Sequence, residues 1–238
     1  MEVLQSIGQF FARWLAQLET TFVEKQRYLL LVDGLKNTLI ITAGALVIGV
    51  VIGSLVAMIK YCGQDSRLLR PLCWLCSVYT TVIRGVPVVV QLLIFYFLIL
   101  KSSDGLVVGI VTFGINSGAY VAEIFRGGLM SVDPGQNEAG RSLGLNYLDT
   151  MRFIVVPQAF KNVLPALGNE FITLFKDTAL INIIGGKELV YAAKAVGSKT
   201  YDVMYPYLGI AVIYLVMVML LTWLQGKLER RLRQSDRR

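Results

Sequence analysis

The stretch that decides the fold class is Leu39–Ile59, which reads LIITAGALVIGVVIGSLVAMI and contains no charged residue. As a helix it is about 31 Å long, at ~1.5 Å per residue, which is enough to cross the hydrocarbon core of a bilayer. Its Gly44, Gly49 and Gly53 favour close packing against another helix. The chain of 238 residues is 55% hydrophobic and 16% charged, whereas soluble domains carry roughly a quarter charged residues. The sequence therefore predicts an all-α membrane protein.

Four further apolar stretches accompany the first. They are Leu72–Leu100, Gly105–Ala122, Val163–Gly186 and Val203–Gly226. Leu72–Leu100 is too long for one straight helix and contains Pro87, which predicts a helix broken near that residue. Glu170, Lys176 and Asp177 lie in the third of these stretches, and we count it as a span because charges at membrane depth are usually buried in protein or line a wet cavity. The prediction is about five transmembrane helices.

The distribution of Lys and Arg predicts the orientation of these spans, since the side richer in them is expected to be cytoplasmic. That side carries the loops after the first and third spans and the C-terminal tail. With five spans, the N terminus lies outside and the C terminus inside. We divide the chain into an N-terminal extracytoplasmic or interfacial segment, a transmembrane domain and a basic cytoplasmic tail, at residues 1–33, 34–226 and 227–238. The net charge of +7 is assigned to topology rather than to nucleic-acid binding.

The first 30 residues alternate apolar and charged positions. They predict an amphipathic helix that lies on the membrane surface or packs against the bundle, and the sequence leaves both open.

Enzymatic classes are largely excluded by the composition. The chain contains no histidine, which excludes His-based acid–base catalysis, Ser-His and Cys-His nucleophile pairs and imidazole metal ligands. Cys73 and Cys76 have C-x-x-C spacing but lie in an apolar span, so we interpret them as packing residues. The segment Gly185–Glu188 lacks the spacing and the hydroxyl residue of an ATP-binding phosphate loop. We predict no catalytic residue, no metal site and no cofactor in this chain.

The loop between the third and fourth spans contains a predicted helix of its own. From Ser131 to Phe160 it reads SVDPGQNEAGRSLGLNYLDTMRFIVVPQAF. Asp133 followed by Pro134 is typical of a helix start, and Gly144 is typical of a helix end. A short capped helix outside the membrane suits either docking to a partner or lying at the interface without one, and the residues alone leave both interpretations open.

The same loop resembles the EAA loop of binding-protein-dependent ABC permeases, whose pattern is E-A-A-x3-G-x9-I-x-L-P. Glu138-Ala139-Gly140, Gly144 and Ile154–Pro157 occupy its positions, with Gly140 in place of the second Ala and Val156 in place of Leu. Other segments resemble the polar amino-acid subfamily of these permeases. They are Gly34-Leu35 with Thr38-Leu39, Ile83–Pro87 with Gln91 ("RGTP…VQ"), Ala119–Gly128 ("AYxAEIxRGGI"), Pro157–Ala159 and Lys176–Thr178.

The resemblance implies the permease subunit of an ATP-driven importer of polar or charged amino acids in the inner or plasma membrane of a prokaryote. In such importers two permease subunits, identical or paralogous, form the path, a separate ATPase subunit binds ATP and Mg, and an extracytoplasmic substrate-binding protein delivers the solute. The permease itself is not an enzyme. The implied coupling residues, within the loop 131–160, are Glu138, Ala139, Gly140, Arg141, Gly144 and Pro157. The alternative is a secondary transporter or channel subunit not coupled to ATP.

The candidate substrate contacts are the polar groups inside the spans. They are Glu170, Glu123, Arg84, Asn116, Gln91 and Asn169. An amino acid carries both signs of charge, so a site in a low-dielectric environment needs an acid together with a base such as Arg84. The same residues also suit a structural role, with Arg84 paired to Glu123 or Asp177. The sequence leaves both roles open, as well as which amino acid is carried.

Overall fold

The computed structural model describes residue 14 and residues 16–63, 67–101 and 103–235, and this part of the chain contains helices and no β-strand. The helices used below are α1 (Tyr28–Cys62), α2 (Arg70–Gly85), α3 (Val88–Ile94), α4 (Gly105–Met130), α5 (Pro134–Ser142), α6 (Tyr147–Thr150), α7 (Val156–Asp177), α8 (Leu189–Thr200) and α9 (Met204–Ser235). π-Helical turns follow α3 (Phe95–Ile99) and join α6 to α7 (Met151–Val155), and a 3-10 helix, Thr178–Ile184, follows α7.

Helices α1 and α4 form the most extensive helix pair of the bundle. A Cβ atom added at Gly49 would lie 2.8 Å from the Ser117 Oγ, and one added at Gly53 would lie 2.6 Å from Val121 Cγ1. Both distances are too short for a real side chain, so the two backbones approach as closely as they do because these positions are glycine. The close packing predicted for the α1 glycines is confirmed.

The break predicted near Pro87 is also confirmed. Helices α2 and α3 meet at an angle of 104°, and Val86 between them has an extended backbone. The Gln91 side chain donates hydrogen bonds to the carbonyl oxygens of Ile83 at 2.7 Å and Val86 at 2.8 Å. A break exposes backbone carbonyls that lipid cannot satisfy. Gln91 therefore makes the break compatible with a membrane setting.

Candidate membrane spans are fewer than the five predicted. Among the described residues, Tyr28–Cys62, Gly105–Met130 and Met204–Leu232 are each long and apolar enough to cross a bilayer, and the bent pair α2–α3 is a fourth candidate. Helix α7 is not among them, and it spans Val156–Asp177 rather than Val163–Gly186. It packs against α1, α4 and α9, which is the setting in which charges at membrane depth are tolerated. The fifth span stays a prediction.

The structure describes part of the chain at each end of the predicted transmembrane domain. Residues 1–13 and 15, nearly half of the predicted N-terminal amphipathic segment, lie outside the described residues. In the part that follows, Thr21 is buried and Phe22 lies against Gly209 of α9, so this part packs on the bundle. Helix α9 continues without a break from Met204 to Ser235, so the first basic residues of the predicted tail extend the last helix.

Candidate functional site

Helix α5, in the loop between the third and fourth predicted spans, is capped at both ends, as predicted. The Asp133 carboxylate accepts a hydrogen bond from the Gly135 amide at 2.7 Å, and Pro134 is the first helical residue. Gly144 has a positive φ of 80°. Its amide donates to the Arg141 carbonyl at 2.9 Å, and the next amide, of Leu145, donates to the Gly140 carbonyl at 3.1 Å. These two bonds form a Schellman motif, which satisfies carbonyls that a helix end otherwise leaves free.

One face of α5 packs against the segment that leads into α7. Gly140 is buried, and a Cβ added there would lie 2.8 Å from both the Oγ1 and the Cγ2 of Thr150. The Gln158 amide of α7 donates to the Gln136 side-chain oxygen at 3.1 Å. Packing therefore explains why Gly140 departs from the EAA pattern: Thr150 at the end of α6 lies too close to leave room for the side chain of an alanine.

The opposite face of α5 is exposed. Glu138, Ala139 and Arg141 project from it, and Pro157 is exposed at the start of α7. Leu143, next to the helix end, is 78% exposed. Sequence analysis did not single out Leu143, although its i+4 spacing from Ala139 places the two on one face of the helix. Leu143 thus adds a large apolar side chain to the exposed face of α5.

Several predicted polar residues meet at the middle of α4. The Asn116 amide donates to the Gln91 side-chain oxygen at 3.3 Å. The next residue, Ser117, is buried and its hydroxyl donates to Glu170 Oε1 at 2.7 Å. Asn169, beside Glu170 on α7, is exposed. Helix α4 thus connects polar side chains of α3 and α7, and Ser117 is a member of this group that sequence analysis did not select.

Arg84 lies along the same part of α4. Its guanidinium carbon is 5.3 Å from the centre of the Tyr120 ring, which is within the range of a cation–π interaction. Tyr120 follows Asn116 by one helical turn, so both side chains lie on one face of α4. Arg84 is exposed in the single chain. The structure shows contact with Tyr120 where sequence analysis considered pairing with Glu123 or Asp177.

Glu123 is engaged in ion pairs nearer the end of α4. Its Oε1 lies 3.1 Å from the Lys60 amine of α1, and its Oε2 lies 2.7 Å from the Arg126 guanidinium. Both carboxylate oxygens therefore face a cation, and the pair with Lys60 ties α1 to α4. A solute contact at Glu123 would require one of these ion pairs to open.

Glu188 is a buried acid that sequence analysis did not select. Its carboxylate caps α8 by accepting hydrogen bonds from the amides of Val190 at 2.7 Å and Tyr191 at 2.8 Å. It lies outside the candidate spans. Burial raises the pKa of Glu188 to about 7, although the hydrogen bonds from the backbone amides act in the opposite direction. The segment Gly185–Glu188 is thus a turn, with φ of 75° at Gly185, that leads into a capped helix.

Comparison with known proteins gives consistent matches over most of the chain. The arginine transport system permease protein ArtQ of Bacillus subtilis (strain 168) is 37% identical over 210 residues, which cover 87% of this chain and 94% of that protein. The glutamine transport system permease protein GlnP of Escherichia coli (strain K12) is 35% identical over 213 residues, covering 86% and 93%.

Solved structures similar to this chain also come from ABC transporters. A crystal structure of an amino acid ABC transporter with histidines has a TM-score of 0.81 and 42% identity, covering 88% of this chain and 98% of that one. An inward-facing structure of the MetNI methionine ABC transporter is 21% identical with a TM-score of 0.72, covering 86% and 97%, and shows the same fold. The family described as "Binding-protein-dependent transport system inner membrane component" matches residues 49–234. The chain belongs to this family of inner-membrane permease subunits.

Proposed function

We propose that this chain is the permease subunit of an ATP-driven importer of polar or charged amino acids, and that α5 docks to the ATPase subunit. The observation that carries the proposal is the geometry of α5. The helix is fixed at both ends and packed on one face, while Glu138, Ala139 and Leu143 are exposed on the other. A helix held in this way moves as a rigid part with the segment leading into α7, which is what transmission of movement from a partner requires.

The substrate class rests on two supports. The first is that the relatives are named as arginine or glutamine transport proteins. The second is that the polar residues around α4 include both acidic and basic side chains. We assign Glu170 to the amino group or to a cationic side chain, and Arg84 to the carboxylate. Asn116, Gln91 and Asn169 supply further hydrogen-bonding groups beside them. ATP and Mg would be bound by the partner ATPase, and this chain would carry out no chemistry of its own.

A second permease subunit follows from the exposure of polar groups in the helices. Arg84 and Asn169 are both exposed in the single chain, and Arg84 lies in an apolar bent pair. A charge facing lipid is costly, so such residues face protein or a wet cavity. We therefore place them toward the second permease subunit and the path between the two. α5 and the C terminus would lie in the cytoplasm, with the substrate-binding protein docking on the opposite side.

Mutation of the exposed face of α5 tests the proposal. We expect Leu143→Arg, alone or with Glu138→Ala, to lower recovery of the ATPase with the tagged permease about tenfold or more, because a buried anchor in an interface is replaced by a charge. Leu68→Arg is the matched control, since Leu68 is 88% exposed in the loop after the first span. Equal recovery of the ATPase with both variants would refute docking through α5.

A further inference from the structure

An apolar groove lies at the end of the bundle that carries α5. Its volume is about 460 Å³, and it is bounded by the ends of α1 and α4 and by the segment from α6 to the start of α7. Among its lining residues are Ala57, Met58, Phe125, Met151, Val156 and Phe160. The proposed transport function uses none of these six side chains.

The groove opens onto a face of α1 that is suited to lipid. Val47, Val51, Leu55 and Met58 are all exposed, and their spacing by three or four residues places them on one face of the helix. Met58 belongs both to this face and to the lining of the groove. Because the face is apolar and lies in a helix long enough to span the bilayer, the groove is continuous with the hydrocarbon region.

The polar part of the lining is basic and aromatic. Arg152, whose guanidinium carbon lies 5.3 Å from the centre of the Phe153 ring, lines the groove together with Tyr61 and Tyr147. No acidic residue lines the groove in the described part of the chain. Tyrosine and arginine beside an apolar cleft at a helix end are the groups that contact phospholipid head groups.

We propose that this groove binds an acyl chain of an anionic phospholipid from the leaflet on the α5 side, with Arg152 contacting the phosphate. The bound chain packs on α1 along one wall and on the α6–α7 segment along the other. Because α5 is joined to that segment through Gly140 and Thr150, the lipid supports the part of the molecule that carries the docking helix. The proposal concerns lipid binding and does not depend on the transport function.

Photolabelling of the full chain in nanodiscs tests the proposal. The probes are phosphatidylglycerol and phosphatidylcholine with a photoreactive group in one acyl chain, and labelled peptides are identified by mass spectrometry. We expect phosphatidylglycerol to label peptides that contain Met58 or Val156 in preference to phosphatidylcholine. Arg152→Gln should lower this labelling about fivefold, because one cation near an anionic head group is lost. Arg70→Gln is the control, since Arg70 is exposed at the start of α2 and does not line the groove.

A second pair of variants tests the groove rather than the charge. Met58→Trp places a larger side chain at the groove, whereas Val47→Trp makes a matched change on the same face of α1, with 61% and 64% exposure of the native residues. Only Met58→Trp should lower the labelling. The proposal is overturned if the two lipids label equally or if Met58→Trp has no effect. It is also overturned if a photoreactive residue at position 58 captures residues 1–13 or a second copy of the chain instead of lipid.

Discussion

Among the single residues, Glu170 is the one on which the assignment of a substrate site depends most. Its carboxylate accepts a hydrogen bond from the neutral hydroxyl of Ser117 at 2.7 Å, and no cation lies within ion-pair distance of it among the described residues. Glu123 differs, because both of its oxygens meet cations. Glu170 is therefore an acid that the described part of the protein leaves without a cation, whereas the charge of Glu123 is already matched by Lys60 and Arg126.

Glu170→Gln preserves the shape of the side chain and removes its charge. We expect the kcat/KM for uptake of a cationic amino acid to fall about 10- to 100-fold, since a hydrogen bond to a charged group contributes roughly 1.5–3 kcal/mol. Assembly with the partner subunits should be unchanged. Glu229→Gln, the same chemical change on α9, is the control. Unchanged uptake kinetics of Glu170→Gln in reconstituted vesicles would remove this residue from the site.

The role of a residue was easier to predict from the sequence when it depends on neighbours in the chain than when it depends on packing between helices. Asp133, Pro134 and Gly144 act within a few residues of their own position, so their roles follow from the sequence around them. The hydrogen bond from Ser117 to Glu170 depends on the register between α4 and α7, which are far apart in the chain. The contact of Arg84 with Tyr120 likewise joins different helices. No local pattern carries this information.

Among the elements, the packing of α5 on α6 explains an unusual glycine. Alanine at Gly140 would favour the helix by about 1 kcal/mol. Its Cβ, however, would meet both branches of Thr150 at 2.8 Å, and Thr150 is buried. Strain of this kind in a packed site typically costs about 1–3 kcal/mol. The Thr150 hydroxyl has no hydrogen-bond partner among the described residues, so removing it sacrifices packing alone.

A double-mutant cycle tests this contact. We expect Gly140→Ala to lower the thermal stability of the purified transporter, and Gly140→Ala with Thr150→Ala to recover most of the loss, because the methyl group added by the first substitution then fills the space left by the threonine. The coupling between the two changes should be about 1–2 kcal/mol. Thr150→Ala alone is the reference. Additive effects of the two substitutions would show that the close approach of Gly140 to Thr150 does not contribute to stability.

The presence of most helices was easier to predict from the sequence than the residues at which they begin and end. The break at Pro87 was predictable because proline cannot continue a helix ladder. The start of α7 at Val156 rather than Val163 was not, because Gln158, Lys161 and Asn162 interrupt the apolar pattern from which the span was placed. Hydropathy does not identify α7 as a span, since Glu170, Lys176 and Asp177 lie within it.

For the whole molecule, two energy sources for transport are compatible with a bundle of apolar helices. A transporter driven by an ion gradient needs a site for the coupling ion, and Glu170 and Asp177 of α7 are acids that lack an ion pair among the described residues. An ATP-driven transporter needs a contact surface for an ATPase, and we propose the exposed face of α5 as that surface. Helix α5 contacts α7, the helix that carries Glu170, through the hydrogen bond from Gln158 to Gln136, so under our proposal movement of an ATPase would be passed toward the polar site.

Uptake into proteoliposomes distinguishes the two energy sources. With the full complex and a substrate-binding protein present, we expect uptake that requires hydrolysable ATP on the α5 side and continues when a protonophore or equal Na⁺ on both sides removes the gradients. The reason is that, under our proposal, ATPase movement is passed through α5 and the segment leading into α7 and opens the path without an ion gradient. Leu143→Arg should abolish this uptake, and Leu68→Arg should not. Uptake driven by a gradient without ATP, and abolished by Glu170→Gln, would instead identify Glu170 as an ion-coupling group and α5 as an interfacial helix.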